Sequence, residues 1–138
     1  MHELHHAIEL LHAGSYTCVL CREGDVVADH RRGIRPLMEL WESGNSYAGY
    51  SAADKVVGKA AAFMYCLLGV HALYAGILSQ PALEVLQGAG IPVEYGTLVP
   101  AIRNRTGDGF CPMETAVREI IDAADAPESI YRALKMLS

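Results

Sequence analysis

Leu4, Ile8 and Leu11 recur at the spacing of one helix face, and Gly14 stops that pattern. The period then changes. Residues 16–21 and 26–30 are rich in β-formers and read as two strands, with REGD between them as a hairpin turn. Ile34, Leu37, Met38 and Trp41 return to the helical repeat until SGN halts it. A short strand through 47–50 precedes the most apolar helix, roughly 54–68. Its Val56, Val57, Ala60, Ala61, Phe63, Met64, Leu67 and Leu68 wrap most of the circumference, which calls for burial against a sheet. VHALYAGIL is mostly apolar, as a strand covered on both faces should be. Pro81 opens the next helix, closed by GAG, and IPVEYG supplies a fifth strand. Met113, Val117, Ile120 and Ile121 make another amphipathic helix, and Ile130, Leu134 and Leu137 a last one.

A hairpin leading into strands that alternate with helices predicts an α/β fold. The expected form is a three-layer αβα sandwich about a five-stranded mixed sheet, with right-handed crossovers. The expected domain is single, spanning residues 1–138. DAADAPES is the one linker-like stretch, too late in the chain to bound a second domain.

Composition narrows the class. The 138 residues are 51% apolar and 20% charged, the balance of a soluble domain with a sizeable core. The longest apolar stretch, Ala60 to Val70, is about half of the ~20 residues that a bilayer crossing needs. MHELHH carries acid and histidine where a signal peptide carries Lys or Arg, so the expectation is a cytoplasmic protein with no membrane partner. A net charge of −5 argues against a nucleic-acid polymer as partner. Cys18 and Cys21 form a C-x-x-C, but three residues apart on a strand they point to opposite faces and cannot share one zinc. Cys66 falls within the apolar helix as a small core residue. Neither a metal nor another cofactor is expected.

In open α/β sheets, ligands collect beyond the carboxyl ends of the parallel strands, and three segments should meet there. In YSAADKVVGK, Ser51 and Asp54 stand as a capping box with Asp in place of the usual Glu, and Lys55 and Lys59 project from one helix face. Gly58, which costs about 1 kcal/mol relative to Ala in a helix interior, asks for a reason such as close backbone approach. A helix start with two lysines makes an anion seat. It is not a P-loop, because Ala53 and Ala60 replace the required Gly and Ser/Thr. The second segment is LSQPALEVL, in which Ser79 or Gln80 caps a helix. The third is RNRTGDGFCPMET. There Cys111 takes the N-cap, with Pro112 at N1 and Glu114 at N3, while Asn104 and Arg105 supply donors. A thiol at a helix start is a candidate nucleophile. No histidine lies nearby in sequence as its base, so a capped helix behind a turn is the plainer reading.

The run ADKVVGKAAA, followed by LSQPALEVLQGAGIPVEYGTLVPAIRNRTGDGFCPME, resembles a small family of uncharacterised bacterial and archaeal proteins with a cytidine-deaminase-like fold. The resemblance covers about residues 20–122 and implies a three-layer αβα sandwich around five strands, without a reaction. A zinc deaminase needs H-x-E or C-x-E at one helix start and P-C-x-x-C at the next. SAADKVVGK has no His, Cys or Glu, and PALEV puts Ala82 and Val85 where the two cysteines belong.

The leading expectation is therefore a metal-free, deaminase-like domain that binds a small anionic metabolite, a nucleotide or phosphate ester. The expected ligand-binding residues are Asp54, Lys55, Lys59, Ser79, Asn104, Arg105 and Glu114. The alternatives are a cysteine-dependent enzyme using Cys111, or a structural or oligomerisation domain. Whether the chain is an enzyme, and whether it forms a homo-oligomer, the sequence leaves open.

Overall fold

Two-residue turns that reverse a strand require left-handed backbone. Glu23 (φ 48°) and Gly24 (φ 86°) supply it between β1 (Cys18–Arg22) and β2 (Asp25–Asp29). The pair runs antiparallel, from Cys18 opposite Asp29 to Arg22 opposite Asp25. On its other side β1 pairs antiparallel with β3 (Ser51–Val57), which places Cys18 opposite Asp54. β4 (Ala72–Ser79) and β5 (Val93–Val99) then add in parallel, giving the order β2-β1-β3-β4-β5. This computed structural model describes residues 2–103, 107, 109 and 111–137.

One face of the sheet is covered by α1 (His2–Ala13), whose Ala7 and Leu11 pack with Val19, Cys21 and Ala53. The other face carries α2 (Arg35–Glu42), α3 (Lys59–Leu68), α4 (Gln80–Gly88), α5 (Pro112–Ala116) and α6 (Ala126–Leu137). Here Leu20, Ala52, Leu73 and Leu78 meet Met64, Tyr65, Leu86 and Ile130, all fully buried. The αβα sandwich and the five-stranded mixed sheet are thus as expected. So is the separation of the C-x-x-C thiols, for Cys21 lies under α1 whereas Cys18 faces the helices around α3. No helix among the described residues is long and apolar enough to cross a membrane.

The expected start of the central helix is wrong by five residues. Residues 51–57 form β3, α3 begins at Lys59, and residues 47–50 make a turn in which the Tyr50 N–H donates to the Tyr47 carbonyl at 3.1 Å. Ala52 and Ala53 are both fully buried, one under α3 and the other under α1. Strands paired on both sides override the helical preference of alanine. Ser51 and Asp54 therefore form no capping box, and Lys55 and Lys59 share no helix face. Gly58 is the N-cap of α3 rather than an interior residue. Further on, α5 stops at Ala116 instead of reaching Ile121, which is 95% exposed. DAADAPES folds into a 3-10 turn over Ala123–Asp125 and the start of α6.

A row of glycines crosses the sheet beside this strand. A Cβ on Gly76 would stand 2.8 Å from the Lys55 carbonyl oxygen, and one on Gly96 2.9 Å from that of Gly76. Real side chains do not tolerate such contacts, so the strands approach here only as glycine allows. Across the row the alternation of faces slips by one residue. Leu73 and Ala75 enter the helical core before it, and Leu78 after it. Ala52 and Val57 repeat the slip on β3.

Candidate functional site

The carboxyl end of β3 opens into a cleft of about 460 Å³. Thr17 and Cys18 at the head of β1 form its floor with Asp54, Lys55 and Val56. That three consecutive residues line one cleft follows from the slip at Lys55. The turn before α2 contributes Arg32 and Gly33, α3 contributes its N-terminus, and the far wall is built from Ile102, Arg103, Cys111, Met113 and Glu114. A second hollow of about 500 Å³, between α2 and α6, is lined by Arg35, Glu39, Glu42, Tyr131 and Lys135, away from the strand ends.

Asp54 is the most perturbed acid of the cleft. Its Oδ2 accepts the Tyr65 hydroxyl at 2.6 Å, and its Oδ1 accepts the Val56 N–H at 3.2 Å. Burial pushes the carboxyl up to about 6, against the pull of those hydrogen bonds. Tyr65 is itself wholly buried, and burial beside Asp54 drives its hydroxyl well above the usual phenol range. Burial, and then Asp54, likewise raises the Cys18 thiol. Tyr65 and Cys18 were not among the expected site residues. Tyr65 reads as one more apolar position of a buried helix, and its hydroxyl's destination depends on a strand eleven residues back.

The α3 start is already capped. Glu114 Oε1 accepts the Lys59 N–H at 2.8 Å, and Oε2 accepts the Ala60 N–H at 3.1 Å. The anion at this helix terminus is therefore the chain's own carboxylate, seated where the orphan N–H groups and the helix dipole favour negative charge. It explains Gly58, because a Cβ there would lie 2.5 Å from the Glu114 carboxylate. The close approach expected at this glycine is a side chain's, not a ligand's. Lys59 is also engaged, donating from Nζ to the Arg118 carbonyl at 3.0 Å and lying 5.6 Å from the Phe63 ring centroid. Together these bonds tie the middle of α5 and the turn after it to the first turn of α3.

Of the expected site residues, Asp54, Lys55, Cys111 and Glu114 line the cleft. Ser79 does not. It is fully buried, and its Oγ accepts the Ala82 N–H at 3.2 Å as the cap of α4. Cys111, half-buried, sits at the N-cap of the five-residue α5 without a side-chain capping bond, and among the described residues no histidine lines the cleft beside it. Asn104 and Arg105 lie outside the described residues. Arg32 was missed, because nothing in its local sequence sets it apart from Arg31 beside it. The Arg31 guanidinium is spent on Asp29 and Glu39. Among the described residues, neither Arg32 nor Lys55 has a side-chain partner, and both are exposed.

A family model described as a domain of unknown function, DUF1893, matches residues 6–136. The chain belongs to the DUF1893 family. The crystal structure of a DUF1893 family protein from Thermotoga maritima superposes with a TM-score of 0.85 at 25% identity, covering 98% of this chain and 90% of that one. An apo dCMP deaminase from cyanophage S-TIM5 matches at a TM-score of 0.46 and 16% identity, over 68% of this chain and 94% of its own. No curated protein matches the sequence. In this DUF1893 chain the start of α3 presents Gly58, Lys59 and Ala60 and that of α4 Ala82 and Val85, none of them a zinc ligand. Among the described residues no group of three or more His, Cys, Asp or Glu could hold a metal ion.

Proposed function

We propose that the chain binds a small anionic metabolite, a nucleotide or another phosphate ester, in the cleft at the end of β3. The observation that carries this reading is the pair of exposed cations, Arg32 and Lys55, which flank a cleft of about 460 Å³ without intramolecular partners among the described residues. Other charges around the site are matched: Glu114 by two backbone N–H groups, Lys59 by a carbonyl, Arg31 by two carboxylates. Unmatched guanidinium and ammonium groups at a concave site suit phosphate oxygens, Arg through its fork and Lys as a point charge. The anion is thus assigned to the strand end and the turn before α2. The α3 terminus and Lys59, expected to take part, serve the fold instead.

The test is a thermal-shift panel of phosphate, phosphate monoesters and nucleotides. A ligand at about 100 times its Kd should add ~2.7 kcal/mol of stability. Replacing both Arg32 and Lys55 with Ala should abolish that protection while leaving the unliganded melting temperature within a few degrees. No shift with any member of the panel would end the reading.

A further inference from the structure

Resting on that anion-binding reading, we propose that Asp54 recognises hydroxyl donors on the same ligand, so that the cleft takes a polyhydroxylated phosphate ester of the sugar-phosphate class. A carboxylate has about four acceptor positions. Tyr65 and the Val56 N–H occupy two of them, one on each oxygen, and the Lys55 N–H also bears on the carboxylate from its own strand. Asp54, half-buried, lines the cleft, and no ion pair to it is formed among the described residues. A half-buried carboxylate without a cation can take further donors, and among the described residues of the cleft none is bonded to it beyond those of its own strand and Tyr65. A vicinal diol offers two O–H groups at the spacing of one carboxylate. A cationic donor fits less well, because Lys55 is the next residue and Arg32 lines the same cleft. The anionic end of the ligand goes to those two cations and the hydroxyls to Asp54. The other titratable groups around Asp54 are Tyr65 from α3, Cys18 from β1, and Arg103, Cys111 and Glu114 from the far wall.

The experiment compares ribose 5-phosphate with propyl phosphate, esters of like charge that differ in hydroxyls, by calorimetric titration of the full chain. At neutral pH the ribose ester should bind about tenfold tighter or better, the worth of a charged hydrogen bond. Asp54→Asn should shrink that preference to about threefold or less without weakening propyl phosphate. A wild-type preference near unity, or one that survives Asp54→Asn intact, overturns the assignment while the anion-binding reading stands. If neither ester binds, the anion-binding reading fails and takes this one with it. Should Asp54→Asn not fold, the wild type alone decides. Its preference must grow between about pH 5 and about pH 7.5 as the carboxyl ionises, and a flat ratio overturns the assignment.

Discussion

The Asp54 carboxyl is held where its charge is least welcome. Unfolded, it titrates near ~4; folded, burial pushes it up to about 6. Between those values the native state binds more protons than the unfolded one, so this group's contribution to stability falls as pH rises from about 4 to about 6. Asp54→Asn removes the dependence. The amide oxygen can accept the Val56 N–H while its NH₂ donates to the Tyr65 hydroxyl, whose own hydrogen then loses its acceptor at a cost that does not vary with pH. Relative to wild type the variant should therefore gain about 1–2 kcal/mol between pH 4 and pH 7.5, a figure kept below full linkage because the carboxyl reaches cleft water. Urea unfolding of both proteins at the two pH values measures it, and an unchanged difference would show that Asp54 does not titrate in this range.

At the scale of elements, the contact between α5 and α3 couples two positions far apart in sequence. Gly58 has φ −98°, an ordinary value, so Ala would bring no backbone strain there; the cost comes from the Glu114 carboxylate 2.5 Å from the new Cβ. Gly58→Ala and Glu114→Ala should each destabilise by about 1–2 kcal/mol, as the loss of a helix cap does. The double variant should lose clearly less than the sum, since the clash disappears with the carboxylate. Additive losses in a double-mutant cycle would show that the two residues act apart. This contact also marks the limit of what the chain discloses locally. The Cys111 N-cap, Pro112 at N1 and the Ser79 cap were readable, because each depends on residues within one turn. Glu114 at N3 was readable as a position but not as a partner. Its acceptor role is fulfilled on a helix 54 and 55 residues earlier.

For the whole molecule, the alternation between period 3.6 and period 2 was enough to give the number of strands and to place helices on both faces of the sheet, since burial must follow those periods. It failed at SAADKVV, where two alanines and two valines satisfy either period, and pairing with β1 and β4 decides. The slip at Lys55, Gly76 and Gly96 was also out of reach, because it arises from three neighbouring strands at once. The consequence is a cleft whose floor is fixed by the sheet and whose far wall is held through α5.

That difference can be timed. The Lys59 and Ala60 amides are protected by Glu114, whereas the Ala62 amide donates to the Gly58 carbonyl at 2.9 Å inside its own helix. Hydrogen–deuterium exchange at the first two should follow each departure of α5, and at the third only the opening of α3. In Glu114→Ala the first two should exchange at least about tenfold faster with Ala62 unchanged; equal acceleration at all three would mean that the helix and the wall open together. With the first outcome, two backbone amides serve as a clock for the parting of α5 from α3.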